Sequence, residues 1–166
     1  MIIVGLMGLS QTAFAQGSDK DYHDLFNDVS NYIPVYEEDL TEDGYWGYYQ
    51  YNDEYMVLHT GLNDADWWHT FLHETIHVIQ DCKNISEGLT IFDTNTFQTS
   101  IEASDPSGHS EVSWFALGYD DSEYDVEFEA EYIARFSKIS YIQSLSDLQT
   151  HPTPVSYTHL TLPTKA

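Results

Sequence analysis

The first apolar pattern with a helical period lies near the start of the chain, over residues 19–31. Its apolar residues are spaced three or four positions apart, as on one face of an α-helix, and they are Tyr22, Leu25, Phe26 and Val29. Pro34 follows closely and cannot continue a helix. The pattern therefore predicts a short amphipathic helix that ends before this proline.

The next pattern, over residues 45–61, is rich in tyrosine and tryptophan. These residue types favour β-strands, and Asn52 with Asp53 supplies a turn in the middle of the segment. The pattern predicts a β-hairpin whose second strand runs from about Glu54 to Thr60.

A longer helical pattern follows the hairpin. It predicts a helix from Ala65 to Cys82 or Lys83, with Asp64 or Asp66 as its N-cap. Apolar residues cover most directions around this helix, so most of it is expected to pack in the core.

The stretch 84–118 has a mixed pattern that fits strand, loop or helix. After it, residues 122–125 match a capping box with Asp in place of Glu or Gln, and the helical pattern continues to Gln149. A helix, a hairpin and two further helices in this order predict a small α+β domain.

The charge of the chain is strongly negative. It has 28 acidic and 5 basic residues, for a formal net charge of −23. Such a surface repels nucleic-acid phosphates and anionic lipids, so we expect no nucleic-acid partner and no stable membrane insertion. High solubility is the simplest consequence of this acidity. Cys82 is the single cysteine, so no disulfide can form within the chain.

Both ends of the chain differ from its middle. Residues 1–15 are apolar and close on the small-x-small pattern of Ala13–Ala15, which is typical of a secretory signal peptide, although no Lys or Arg precedes the apolar run. Residues 154–166 resemble the translation of a sequencing-library adapter. We therefore expect a secreted or periplasmic protein, with one domain at 16–153 that is truncated at its C-terminus and followed by a non-native tail.

Polar residues interrupt the predicted core helix in the sequence His73-Glu74-Thr75-Ile76-His77. Positions i and i+4 lie side by side on a helix, so the two imidazoles can meet one Zn²⁺ ion. Glu74 lies beside the first imidazole, from where its carboxylate can reach a water bound to the metal and act as general base. The HExxH spacing thus predicts two metal ligands and a catalytic carboxylate.

A catalytic zinc site needs a third protein ligand and one open position. The residues after His77 lack the extension that would supply a third histidine, whereas the later helix is rich in acids. Glu127 and Glu131 lie four positions apart on one helical face, and Glu129 points roughly opposite. A carboxylate of this helix is therefore the expected third ligand.

The motif HETIH, followed by a helix with the pattern E-x-x-A-acid, resembles the gluzincin group of zinc metallopeptidases. The resemblance is confined to these two helices, and it implies a small zincin-like domain with a short antiparallel sheet. It also implies that Glu127 is the metal ligand and that Glu131 supports His73 through its other ring nitrogen. Thermolysin-like members place Ala directly after the ligand, which would point to Glu129. Glu127 is preferred because only Glu127 has an acidic partner one turn later.

The function that this resemblance implies is that of a secreted zinc metallopeptidase. It would hydrolyse peptide bonds in a peptide or protein substrate with a zinc-bound water that Glu74 activates. An oxyanion donor is also required, and Tyr119, Tyr124 and His109 are candidates by residue type. The family's arrangement implies that the strand at 54–60 pairs with an extended substrate.

A different class of function also fits the sequence. An acidic, secreted binding or structural module could carry the same motif as an inert sequence or as a structural metal site. The other histidines considered, His23, His59 and His69, are expected to have no role in the site. For His69 the reason is that three histidines in line on one helix converge poorly on one ion.

Overall fold

The computed structural model describes residues 17–82, 112, 116, 118–120 and 123–145. Within these residues the secondary structure is α+β, as predicted. The helices with described bounds are α1 (Asp19–Tyr32), α2 (Asp64–Cys82), α3 (Tyr124–Phe136) and α4 (Ile139–Leu145). The strands are β1 (Val35–Glu38), β2 (Gly47–Gln50) and β3 (Tyr55–His59).

Several predictions concern other parts of the chain. The signal peptide at 1–15, most of the stretch 84–118 including His109, and the tail at 154–166 lie outside the described residues. None of the helices in the described part of the chain combines the length and the apolarity needed to cross a membrane.

Helix α1 confirms the predicted amphipathic helix. Ser18 caps it through a capping box, in which the Ser18 backbone N–H donates to Asp21 Oδ2 over 2.8 Å and the Ser18 hydroxyl accepts from the Asp21 backbone. Leu25 and Val29 are fully buried, so the predicted apolar face is the face that packs in the core.

The predicted hairpin is present as β2 and β3, which pair in antiparallel orientation. A four-residue turn over 51–54 joins them, with Glu54 in the left-handed region at φ 53°. The sheet also contains β1, which the apolar pattern did not predict and which runs parallel to β3. The strand order is β1-β3-β2, so the sheet is mixed.

The strand order corrects one expectation about substrate binding. Strand β3 was expected to offer an open edge to an extended peptide, but it lies at the centre of the sheet and pairs with a strand on each side. Its backbone groups are therefore used within the sheet. Among the described strands, β1 and β2 form the two edges.

Helix α2 lies where the sequence predicts it, but its cap is different. Asn63 Oδ1 accepts hydrogen bonds from the backbone N–H groups of Ala65 and Asp66, each over 3.1 Å. Neither Asp64 nor Asp66 is therefore the N-cap, because both already belong to the helix. The aspartates instead place negative charge in the first turn, where the helix dipole favours it.

The close approach of α2 to the sheet depends on a glycine. A Cβ atom added to Gly47 would lie 2.7 Å from Thr70 Cγ2 and 2.9 Å from the Val57 carbonyl oxygen. Only a residue without a side chain fits between strand β2 and this part of α2, so Gly47 helps set the distance between the sheet and the helix.

The acidic segment forms two helices where the pattern predicted one. Helix α3 ends at Phe136, Ser137 is extended at ψ 154°, and α4 begins at Ile139. The break turns Ile139 and Ile142 into the core that α1 and α3 share. The predicted capping box at 122–125 is also wrong, because the N-cap is Glu123 and it makes no side-chain capping bond.

The main core lies around α2. Residues from α1, the sheet, α3 and α4 surround the apolar part of this helix, and Ala130 of α3 is fully buried where the two helices pack. A second, smaller cluster forms on another side of α3 around Phe128. Helices α2 and α3 therefore bring the two motifs of the sequence into one interior.

Candidate metal centre

Helices α2 and α3 bring His73, His77 and Glu127 together. His73 Nε2 lies 3.1 Å from Glu127 Oε2 and 3.1 Å from His77 Nε2, and His77 Nε2 lies 3.4 Å from Glu127 Oε1. The three residues form a group whose ligand atoms all lie within 4.8 Å of one another. Such a group could hold a metal ion.

The carboxylate of Glu131 contacts the other ring nitrogen of His73, Nδ1. Glu131 Oε2 lies 3.2 Å from His73 Nδ1 and 3.1 Å from His69 Nε2, while Arg135 Nε contacts the other oxygen of the same carboxylate. Glu131 thus lies where the resemblance to gluzincins implies a brace for His73. His69, for which no role was expected, contacts this brace but is not a member of the three-residue group.

The second histidine has a different support, which sequence reasoning did not find. Gln80 Oε1 lies 2.8 Å from His77 Nδ1, and Gln80 Nε2 donates to Glu129 Oε2 over 2.8 Å. The contact places Glu129 beside Gln80, whereas Glu127 lies beside both imidazoles. The spacing of Gln80 three residues after His77 was the only available sequence signal.

Glu74 is buried next to the two histidines. The backbone of Tyr49 in β2 donates a hydrogen bond to its carboxylate, so the sheet holds the group in place. The Tyr49 hydroxyl also donates to Asp81 Oδ2 over 2.8 Å, which ties the same strand to the end of α2. Burial raises the pKa of Glu74, and the nearby His73 and His77 only partly offset this rise.

Opposite charges within the cluster shift the pKa values of its members. Burial lowers the pKa of each histidine, but the carboxylates outweigh this effect, so the pKa of His73 lies well above its ordinary range and that of His77 is raised. Burial acts in the opposite direction on Glu127 and Glu131, yet the histidines hold the pKa of both carboxylates well below the usual range. The histidines and the two carboxylates therefore stabilise each other's charged forms.

Two tyrosine hydroxyls lie near the cluster. Tyr119 shares a hydrogen bond with Glu127, and the ring of Tyr51 lies 6.4 Å from that of His77. Desolvation by the surrounding protein and the charges of Glu127 and Glu74 raise the pKa of both hydroxyls, although each residue keeps part of its surface in solvent. Both therefore remain O–H donors near neutral pH. Tyr51 was not predicted from the sequence.

Three other side chains considered from the sequence make their contacts away from the centre. Tyr124 stacks on Phe128 in the second apolar cluster, with ring centroids 5.9 Å apart. His23 contacts the Trp68 ring edge-on at 5.5 Å, and His59 Nδ1 accepts a hydrogen bond from the Leu40 backbone over 3.1 Å. These contacts account for the three side chains without a role in the centre.

No family model, no curated protein and no solved structure matches the chain. The functional assignment therefore depends on the side chains and on their geometry. That geometry supports a site that could hold a metal ion, and it does not by itself identify the metal.

Proposed function

We propose that the chain is a zinc metallopeptidase that hydrolyses peptide bonds, and that it acts outside the cytoplasm. The observation that carries the proposal is the convergence of the buried His73 and His77 with the partly buried Glu127, beside the buried carboxylate of Glu74. Burying this many ionisable groups together is costly unless a ligand or mutual pairing compensates for the lost hydration. A divalent cation held by the three would supply that compensation.

The donor set suits zinc in a catalytic site. Two imidazole nitrogens and one carboxylate oxygen form a known three-ligand set for catalytic Zn²⁺, with a fourth position left open. Ligand atoms about 2.0–2.2 Å from one tetrahedral zinc ion lie about 3.3–3.6 Å apart. The separations of 3.1, 3.1 and 3.4 Å in this group are close to that range.

The proposed reaction divides the work among the neighbouring side chains. Bound zinc would supply Lewis-acid activation of water and of the substrate carbonyl. As the water oxygen bonds to the substrate carbonyl carbon, the Glu74 carboxylate accepts a proton from that water, and it donates this proton to the amine nitrogen as the peptide C–N bond breaks.

A hydroxyl donor completes the proposed site. Tyr119 lies against Glu127, and its raised pKa keeps its hydroxyl protonated. In the substrate complex, we assign to its single O–H a turn from Glu127 to the substrate carbonyl oxygen, where it stabilises the negative charge. Tyr51, on the side of His77, forms part of the wall of the same site.

The proposal is tested with the purified, zinc-loaded protein and fluorescently labelled casein. Glu74→Gln keeps the size of the side chain but cannot accept the proton, so the hydrolysis rate should fall about 10²–10⁴-fold. Zinc content, measured by mass spectrometry, should stay at one ion per chain. Glu42→Gln, an equivalent change at an exposed loop position, is the matched control and should retain the parental rate.

Two outcomes would contradict the proposal. If Glu74→Gln hydrolyses casein as fast as the parent protein, Glu74 is not the general base. If the zinc-loaded parent retains its metal and cleaves neither casein nor a mixture of short peptides, the centre is a structural metal site in a non-catalytic module.

A further inference from the structure

The orientation of the Gln80 side chain is determined by its surroundings. The amide is fully buried, and two acceptors, Glu129 Oε2 at 2.8 Å and the Val126 carbonyl oxygen at 3.1 Å, lie beside Nε2. An amide nitrogen has two hydrogens to donate, and an amide oxygen can only accept. Oε1 must therefore face His77 Nδ1, which lies 2.8 Å away and has to carry the hydrogen.

This hydrogen bond selects one form of the His77 ring. When Nδ1 carries a hydrogen, a neutral imidazole presents its lone pair at Nε2. Nε2 is the atom of His77 that lies close to His73 Nε2 and Glu127 Oε1. The Gln80 amide thus holds the ring in the tautomer that can bind a metal within the cluster.

Glu129 accepts a hydrogen bond from the Gln80 amide. Its side chain is fully buried, and a buried carboxylate is stable only where it accepts hydrogen bonds. By donating to Glu129, Gln80 links that buried carboxyl group to the contact with His77, and hydrogen bonds in such chains strengthen one another. His73 receives the same kind of support directly, from Glu131.

We propose that Gln80 and Glu129 are positioning residues of the metal centre, which act on the metal only through His77. Glu129 polarises the Gln80 amide, and the amide fixes the tautomer and the direction of the His77 ring. This inference rests on the metal binding in the proposed function and deepens it, because it gives each histidine ligand its own acidic support from α3.

The test measures the dissociation constant of Zn²⁺ at constant pH by competition with a chelator. Gln80→Leu removes the hydrogen bond to His77 and should weaken zinc binding about 10–100-fold, as loss of such supporting contacts generally does. Glu129→Gln replaces the carboxyl acceptor by a weaker amide acceptor, so its effect should be smaller but measurable. Gln143→Leu, a matched change on α4, should bind zinc like the parent.

A double variant tests whether the two residues form one chain of contacts. Since Glu129 acts through Gln80, Gln80→Leu combined with Glu129→Gln should bind zinc no more weakly than Gln80→Leu alone. The visible spectrum of the Co²⁺-loaded protein should change in Gln80→Leu, because His77 is no longer held in direction. Additive losses in the double variant, or an unchanged spectrum, would overturn the proposal.

The test also separates this inference from the proposed function. If the parent protein binds no zinc, both fail together. If the parent binds zinc and Glu129→Gln binds it equally well, only the role of Gln80 and Glu129 is wrong, and this variant remains informative if Gln80→Leu does not fold. If zinc binding responds as expected and casein is not cleaved, only the peptidase assignment fails.

Discussion

The two sides of helix α2 are built from different interactions. On one side Phe71 is fully buried, stacks on Trp67 with ring centroids 5.8 Å apart and contacts Phe26 at 5.4 Å. We call this the aromatic side. On the other side the buried residues are His73, His77 and Gln80, which face the acidic residues of α3. We call this the polar side.

The difference predicts that one side of the helix contributes mainly to stability and the other to the proposed metal binding. The aromatic side contributes through the area it removes from water, which is non-directional and tolerates small shifts. The polar side gains little from burial as such, and its groups are stable there only because each finds a partner at a defined distance. Variants on the two sides should therefore affect different properties.

The largest effect is expected on the polar side. His77→Ala removes one of the three ligand atoms, and the remaining two cannot hold zinc in a three-ligand site, so one-to-one zinc binding should be lost. Isothermal titration calorimetry measures this directly. Retention of the parental zinc affinity in His77→Ala would mean that the ion binds elsewhere.

The matching change on the aromatic side should act on stability instead. Phe71→Ala removes a fully buried ring and should lower the free energy of unfolding by about 3–5 kcal/mol. The fraction that remains folded should bind zinc with the parental dissociation constant. Urea denaturation followed by zinc titration checks both parts, and a large change in zinc affinity would show that the two sides are coupled.

Stability of the metal-free protein should depend on pH through the polar side. The pKa values of Glu127 and Glu131 are lowered from 4.5, so their contribution is present above that value and is lost on acidification. The pKa values of His73 and His77 are raised from 6.5. Their stabilising contribution is therefore complete below pH 6.5 and is lost as the pH rises through their raised pKa values. The cluster should therefore stabilise the protein most between about 4.5 and 6.5.

This dependence is measured as the difference in urea midpoint between the parent and Glu127→Gln, in which the contribution of the shared acidic surface cancels. The effect on stability should be smaller than that of Phe71→Ala, because the cost of removing the charges from water offsets much of their mutual attraction. In the presence of zinc, stability should instead increase as the pH rises, because the ion competes with protons for the histidines. A difference that does not change with pH would argue against the ionised cluster.

The smallest effect is expected from a change in the N-terminal cap of α2. Asn63→Ala removes the side-chain oxygen that accepts from the backbone of Ala65 and Asp66, and should lower the free energy of unfolding by about 1 kcal/mol. Zinc affinity should not change, since the cap lies more than two turns before His73. Asn27→Ala, the same change at an exposed position of α1, is the matched control and should not lower the unfolding midpoint.

Local patterns were sufficient for several elements. The spacing of Leu25 and Val29 predicted α1, and the tyrosine-rich segment with its central turn predicted the hairpin. The period of apolar residues predicted α2 to within a residue of its bounds. These features follow from interactions between residues close in sequence, which is why the sequence reveals them.

Other features depended on contacts between distant segments. Strand β1 is short and mostly exposed, so it has no apolar pattern, and it forms because β3 offers a free edge. The break at Ser137 arises where Ile139 and Ile142 turn into the core beside α1, although the local sequence favours a continuous helix. Tertiary packing overrides helix propensity at such positions because burial of apolar area is worth more.

The sequence by itself determined the HExxH spacing, which places two imidazoles and a carboxylate on one turn of a buried helix, and it narrowed the expected third ligand to the acids of a later helix. Only the tertiary structure brought Glu127 to both histidines, Glu131 to His73 and the Gln80–Glu129 pair to His77. The physical reason is that helical periodicity fixes directions within one helix, whereas the rotation of α3 against α2 is set by how their buried side chains pack.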